Sequence, residues 1–143
     1  MSSSTLLQQK GVSLLEVLVA ILILSFGLLG LAALQTNALR NSQSSFQRSQ
    51  AVMLTYSIMD AIRVDRANVG NYTMTKTCTA PGAGSLPAAT KKTWIETIQS
   101  NLGTSACGEV TCNTGDCTIK IYWNDERAIG GYTSQVFETR TRL

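Results

Sequence analysis

Hydrophobic and polar positions follow a different rhythm in each third of this chain. From Val17 to Leu34 there is almost no alternation: 18 consecutive residues carry no charge and only Ser25 is polar. Counted from Val12 the run reaches 23 residues, interrupted by Ser13 and Glu16. A helix needs about 20 mostly apolar residues to cross a bilayer, so this run is long enough. Leu and Ile dominate and Pro is absent. Gly27 and Gly30 each cost roughly 1 kcal/mol of helix propensity against Ala, and both leave room for a neighbouring helix.

After Leu34 the rhythm becomes helical and amphipathic. Leu39, Phe46 and Met53 recur every seven residues, and Leu54, Ile58 and Ile62 every four, with Asn, Ser, Gln and Arg between them. No Gly follows Gly30 until Gly70, and no Pro occurs before Pro81. This predicts one helix from about Val12 to about Arg66, about 80 Å long at 1.5 Å per residue. The stripe from Leu39 to Ile62 is expected to be its packed face. Arg63 and Arg66 suit a helix C-terminus, and Asn68 and Gly70 are stop signals.

Asn71 to Thr90 reads as loop, holding both prolines and several glycines. Thr93-Trp94-Ile95-Glu96 fits a capping box, and Trp94, Ile98 and Leu102 follow at four-residue spacing. A short helix from about Thr90 to Leu102, closed by Gly103, is expected. Period two then takes over: Ile119, Ile121 and Trp123 alternate with Lys120 and Tyr122. Glu109–Cys112 is the expected hairpin partner across Asn113-Thr114-Gly115-Asp116, and Tyr132–Arg142 a last strand. The predicted class is α+β, a long helix packed on a small antiparallel sheet of three or four strands.

Composition narrows the chemistry. With no His among 143 residues, imidazole acid–base catalysis and most transition-metal sites are excluded. A net charge of +3 is too small to point to nucleic acid. There is no nucleophile beside a base, no phosphate loop and no pair of acids on one element, so neither an enzyme nor a cofactor is expected. The four cysteines, Cys78, Cys107, Cys112 and Cys117, suggest two disulfides and an oxidising compartment. Three pairings are open; the four turn-type residues between Cys112 and Cys117 favour that bridge, which leaves Cys78 with Cys107. Zinc or thiol chemistry is the alternative, but the spacings are not CxxC and no metal is expected. Asp125-Glu126-Arg127 reads as a solvated turn, with a calcium ligand set or binding spot as the alternative. Asn71-Tyr72-Thr73 matches a glycosylation sequon.

The N-terminal segment decides more. The apolar run exceeds the about 7–15 residues of a cleaved secretory leader, so an uncleaved anchor is expected. Lys10, at its edge, favours an N-terminus in the cytoplasm. Lys10-Gly11-Val12-Ser13-Leu14-Leu15-Glu16 resembles the processing motif of type IV pilin-like precursors. In that family a peptidase cuts after a Gly and methylates the new amine, and a Glu stands fifth in the mature chain. The resemblance implies cleavage between Gly11 and Val12, methylation of Val12 in place of the usual Phe, and a role for Glu16. Gly27 to Gln35, Gly-Leu-Leu-Gly-Leu-Ala-Ala-Leu-Gln, resembles the PilV minor pilins, the type IV pilus modification proteins.

That resemblance implies a leader at 1–11, a transmembrane and fibre-core helix at 12–36, a periplasmic helix half at 37–67 and a disulfide-bearing head at 68–143. It implies a structural protein of the inner membrane, head in the periplasm, that later reaches the pilus at the cell surface. Its implied partners are other minor pilins, the major pilin, the assembly platform, the prepilin peptidase and a tip adhesin. Twitching motility and adhesion would belong to the assembled fibre. A minor pseudopilin of type II secretion shares Leu-Leu-Glu-Val-Leu-Val-Ala, Leu14 to Ala20, and is the alternative. Glu16 can be read as an interfacial side chain reaching water, where the positive end of the helix dipole favours it. Under the resemblance it pairs instead with the freed Val12 amine of a neighbour. An unpaired buried charge is strongly penalised, so that pair would fix register.

Overall fold

The computed structural model describes residues 11–113 and 115–142. Residues 1–10 of the expected leader, Thr114 of the expected turn, and Leu143 lie outside the described residues. The elements, in order, are α1 (Leu14–Val64), a 3-10 segment (Arg66–Tyr72), β1 (Met74–Thr77), α2 (Leu86–Leu102), β2 (Cys107–Asn113), β3 (Asp116–Trp123) and β4 (Gln135–Arg142). The chain divides into two compact units, the first ending at Ala38 and the second spanning Leu39–Leu143.

The first unit holds the apolar part of α1. Every residue from Gly11 to Ala38 is exposed, and the most apolar 18-residue window has a mean hydropathy of 2.8. It is long and apolar enough to cross a membrane. Its two hydroxyls within the helix are spent internally: Ser25 donates to the Ile21 carbonyl (2.7 Å) and Thr36 to the Ala32 carbonyl (2.9 Å). No helix hydroxyl is therefore left to face an apolar medium without a bond.

The second unit is the α+β head. Its four strands form one antiparallel sheet in the order β1-β2-β3-β4. The last turns of α1 bury Ala51, Leu54, Thr55, Ile58, Met59 and Ile62, at the 3- and 4-residue spacing that lines one helix face. Trp94, Ile95, Ile98 and Leu102 of α2 and Val110, Ile119, Ile121 and Trp123 of the sheet complete the core. Trp94 donates its indole N–H to the Leu54 carbonyl (2.8 Å), tying α2 to α1. Gly108 lets this happen: a Cβ there would run into the Trp94 ring and lie 2.8 Å from Ile95 Cδ1.

Four expectations are corrected. Leu39, Phe46 and Met53 are exposed, at 65, 61 and 54%, so only the four-residue series belongs to the packed face. Helix α2 starts at Leu86, a turn earlier than Thr90. Ser85 is the N-cap and its carbonyl accepts from the Ala89 N–H (2.9 Å). Pro87 sits in that first turn, where a missing N–H costs nothing, and Thr93 lies inside the helix rather than capping it. The helix does end at Leu102, with Gly103 at φ 109°, a backbone region that glycine enters without steric penalty. A strand, β1, occupies part of the stretch read as loop, with an irregular register against β2. Finally β4 begins at Gln135, not Tyr132, because Asp125 to Ser134 form turns: the Asp125 N–H bonds the Tyr132 carbonyl at 3.0 Å.

Candidate functional site

The N-terminus of α1 is built from backbone groups first. Ser13 accepts the first helical bonds through its carbonyl, from Glu16 N–H (3.0 Å) and Val17 N–H (3.2 Å). The residues before it, Gly11 to Ser13, have no regular structure and are exposed. Glu16 is the acid in the first turn, where unpaired N–H groups concentrate positive potential. Val12 and Glu16 are four residues apart, one turn, and line a shallow hollow on one helix face with Val17, Ala20, Ile21 and Leu24. Glu16 is thus a lone carboxylate at the rim of an apolar surface. Gly27 and Gly30 are open: a Cβ on either would meet nothing within 4 Å.

In the head, Cys78 and Cys107 are bonded at an S–S distance of 2.05 Å, and Cys112 and Cys117 at 1.96 Å. Cys112 faces Cys117 directly in the β2–β3 register. Both bridges tie the β1–β2–β3 side of the sheet, which makes them braces of the head; no thiol is free.

Asp125, expected in a solvated turn, is buried at 4% exposure. It accepts a hydrogen bond of 2.5 Å from the Ser44 hydroxyl of α1, which pins the β3–β4 loop to the helix. Its neighbours Glu126 and Arg127 stay exposed. Only its place beside Trp123 and two loop glycines hinted at this in the sequence. On the outer sheet face Tyr122 donates to Glu109 Oε2 (2.7 Å), and Lys76 Nζ lies 4.3 Å from the Tyr122 ring centre. Burial first, then the bond to and charge of Glu109 and the charge of Glu138, push the Tyr122 phenol up to about 12. Tyr72 is also raised, by burial and then by Asp65, to whose carboxylate it donates at 3.2 Å.

Compared with known protein families, residues 6–32 match the family described as "Prokaryotic N-terminal methylation motif". No curated protein and no solved structure matches the chain. The chain therefore carries a type IV prepilin-like methylation motif laid across the start of α1. Such a motif implies assembly with pilus or pseudopilus components, and it fits membrane anchoring through the exposed apolar helix.

Proposed function

We propose that this chain is a minor pilin of the PilV type, made in the inner membrane and built into a type IV pilus, where it primes assembly or takes a place in the fibre. The observation that carries this reading is the methylation motif at residues 6–32 coinciding with an apolar helix left entirely uncovered by its own chain. A prepilin peptidase removes residues 1–11 and methylates Val12. Non-helical, exposed backbone at Gly11–Ser13 supports this, because a peptidase needs extended chain around its cut. The leader stays cytoplasmic and the head periplasmic, in keeping with its two disulfides.

On leaving the lipid, the helix 12–36 packs against equivalent helices of the major pilin and other minor pilins, guided by the assembly platform. Glu16 then needs a cation, since removing either partner of a buried pair leaves an uncompensated charge. The new amine of Val12 on a staggered neighbour supplies it, so the pair sets register rather than affinity. The activity is assembly, not catalysis, with no cofactor or nucleic acid required; any tip adhesin would be carried on the same fibre.

Mass spectrometry of the mature chain tests the processing: it should begin at N-methylated Val12. Glu16→Gln should leave the head folded and inserted while removing the subunit from the fibres. Unchanged incorporation of Glu16→Gln overturns the register role. The motif is common to pilins and pseudopilins, which makes a pseudopilin of type II secretion the second reading. Recovery with sheared surface fibres favours the pilin, and retention in the envelope with loss of secretion on deletion favours the pseudopilin.

A further inference from the structure

The loop that joins β3 to β4, Asn124 to Ser134, is fastened to α1. Its Asp125 carboxylate is 4% exposed and accepts from the Ser44 hydroxyl at 2.5 Å. It also closes on itself, with the Asp125 N–H on the Tyr132 carbonyl at 3.0 Å. Arg127 shares one hollow with Arg40 and Gln43 of α1. Ile129 and Tyr132 share another with Asn41 and Ser45. Asp125 lines both hollows. Held this firmly, the loop still leaves its large side chains outside: Ile129 is 57% exposed and Tyr132 70%. Arg40, Arg48 and Arg127 around them are exposed, against one exposed acid of the loop, Glu126. None of these arginines takes part in an ion pair among the described residues.

Position along the chain says what covers this patch. Leu34 ends the apolar run, and Arg40 and Ser44 follow it by six and ten residues in the same helix. At 1.5 Å per residue those intervals are about 9 and 15 Å. The polar layer outside the hydrocarbon is about 5–8 Å deep on each side of a bilayer. Arg40 is thus within reach of the headgroups, since a long basic side chain extends its charge toward them. The loop, pinned about one turn further along, is brought down when the helix tilts by the usual 20° or so toward that side. Tyrosines collect at this depth because the ring is apolar and its hydroxyl is not. Basic residues near the surface are drawn to anionic lipid.

We propose that the β3–β4 loop rests on the surface of the bilayer that α1 spans, with Ile129 and Tyr132 in the headgroup layer and Arg40 and Arg127 on lipid phosphates. Because the loop is pinned to Ser44, this contact fixes the depth and rotation of α1 before the subunit enters any assembly. The proposal rests on α1 being a membrane span but not on the choice between pilin and pseudopilin, and the following experiment reads span and loop separately.

The full chain is reconstituted into vesicles of phosphatidylcholine and phosphatidylglycerol that carry a nitroxide on the lipid headgroup. The native cysteines are all in disulfides, so a fluorophore on Thr133→Cys, or on Ser100→Cys as the control, labels one exposed site. The nitroxide should quench the label at 133 strongly and the label at 100 weakly. Ile129→Ser combined with Tyr132→Ser should bring the 133 site down to the level of the control. Both side chains are exposed, so the circular dichroism of the head should be unchanged. Arg40→Gln or Arg127→Gln should lower the ratio of quenched to unquenched label about fivefold, and by less in phosphatidylcholine alone. Equal quenching at 133 and 100, in vesicles that carry the chain on flotation, overturns the loop contact and leaves the span standing. A chain that fails to float with the vesicles overturns both. A label at 133 that is shielded from aqueous iodide yet unquenched by the lipid is covered by protein, which also overturns the proposal.

Discussion

Two apolar stretches of α1 meet different fates. Val17 to Leu34 is nearly unbroken in its hydrophobicity, and yet none of it is covered: Phe26 is 72% exposed and Leu29 68%. The shorter series Leu54, Ile58 and Ile62, interleaved with polar residues, is covered almost completely, with Ile58 at 1% and Ile62 at 0%. A helix that is apolar all round has no face to offer one sheet, so its burial has to come from lipid or from other helices on every side. A helix with one apolar face can be finished by its own chain. The first stretch therefore depends on lipid or other helices for its cover, and the second is covered by folding.

The largest expected effect separates them directly. Ile58→Ala should destabilise the head by about 2–5 kcal/mol, read as a loss of midpoint in near-ultraviolet circular dichroism. Leu28→Ala should leave that midpoint in place; if both substitutions lower it alike, the division between the two stretches fails. Next, replacing Cys78 and Cys107 by Ser should cost about 3–4 kcal/mol and replacing Cys112 and Cys117 about 2 kcal/mol in the chain-entropy view. The order follows the sequence separations of 29 and 5, and chemical denaturation of the two double variants measures it. Gly108→Ala should cost about 1–3 kcal/mol by overpacking, since the added methyl meets the Trp94 ring and Ile95; Gly30→Ala, in open space, should leave head stability unchanged.

The smallest effect is a pH dependence confined to the head. With the Tyr122 phenol pushed from 10.0 up to about 12, the folded state holds that proton more tightly than the unfolded chain. Its contribution is fully present below pH 10.0 and is lost as pH rises towards about 12. Tyr122→Phe should make the fall in stability over that window shallower, without removing the part due to Tyr72. A denaturation series from pH 9 to 12 measures the difference.

The helical span, the periodic face at Leu54, Ile58 and Ile62, and the strand through Thr118–Trp123 were legible because each is a local pattern repeated several times. The start of the second helix was not: Thr93 and Glu96 satisfy a capping pattern, but Ser85 with Pro87 two residues after it satisfies the geometry of a helix entry as well. Trp94, just over two turns in, is held at depth against Leu54. Strand β1 was hidden because Met74–Thr77 has no apolar alternation of its own; it forms as an edge, through backbone bonds to β2. For the candidate site, the residues around Gly11, Val12 and Glu16 are contiguous and carry their meaning in order. The bond between Asp125 and Ser44 joins the β3–β4 loop to α1 from residues 81 positions apart, and no window of sequence contains it.

The chain on its own determined the long helix and the β2–β3 hairpin, which run suits a membrane, and where the methylation motif lies, because these depend on neighbours within a few turns. The tertiary structure alone decided which side of α1 the sheet would cover, leaving Leu39, Phe46 and Met53 outside, and that Asp125 would be buried on Ser44. Periodicity defines a face, but only the competition among packed surfaces for the same core selects it. A carboxylate enters that core only where a hydroxyl from another element arrives to meet it.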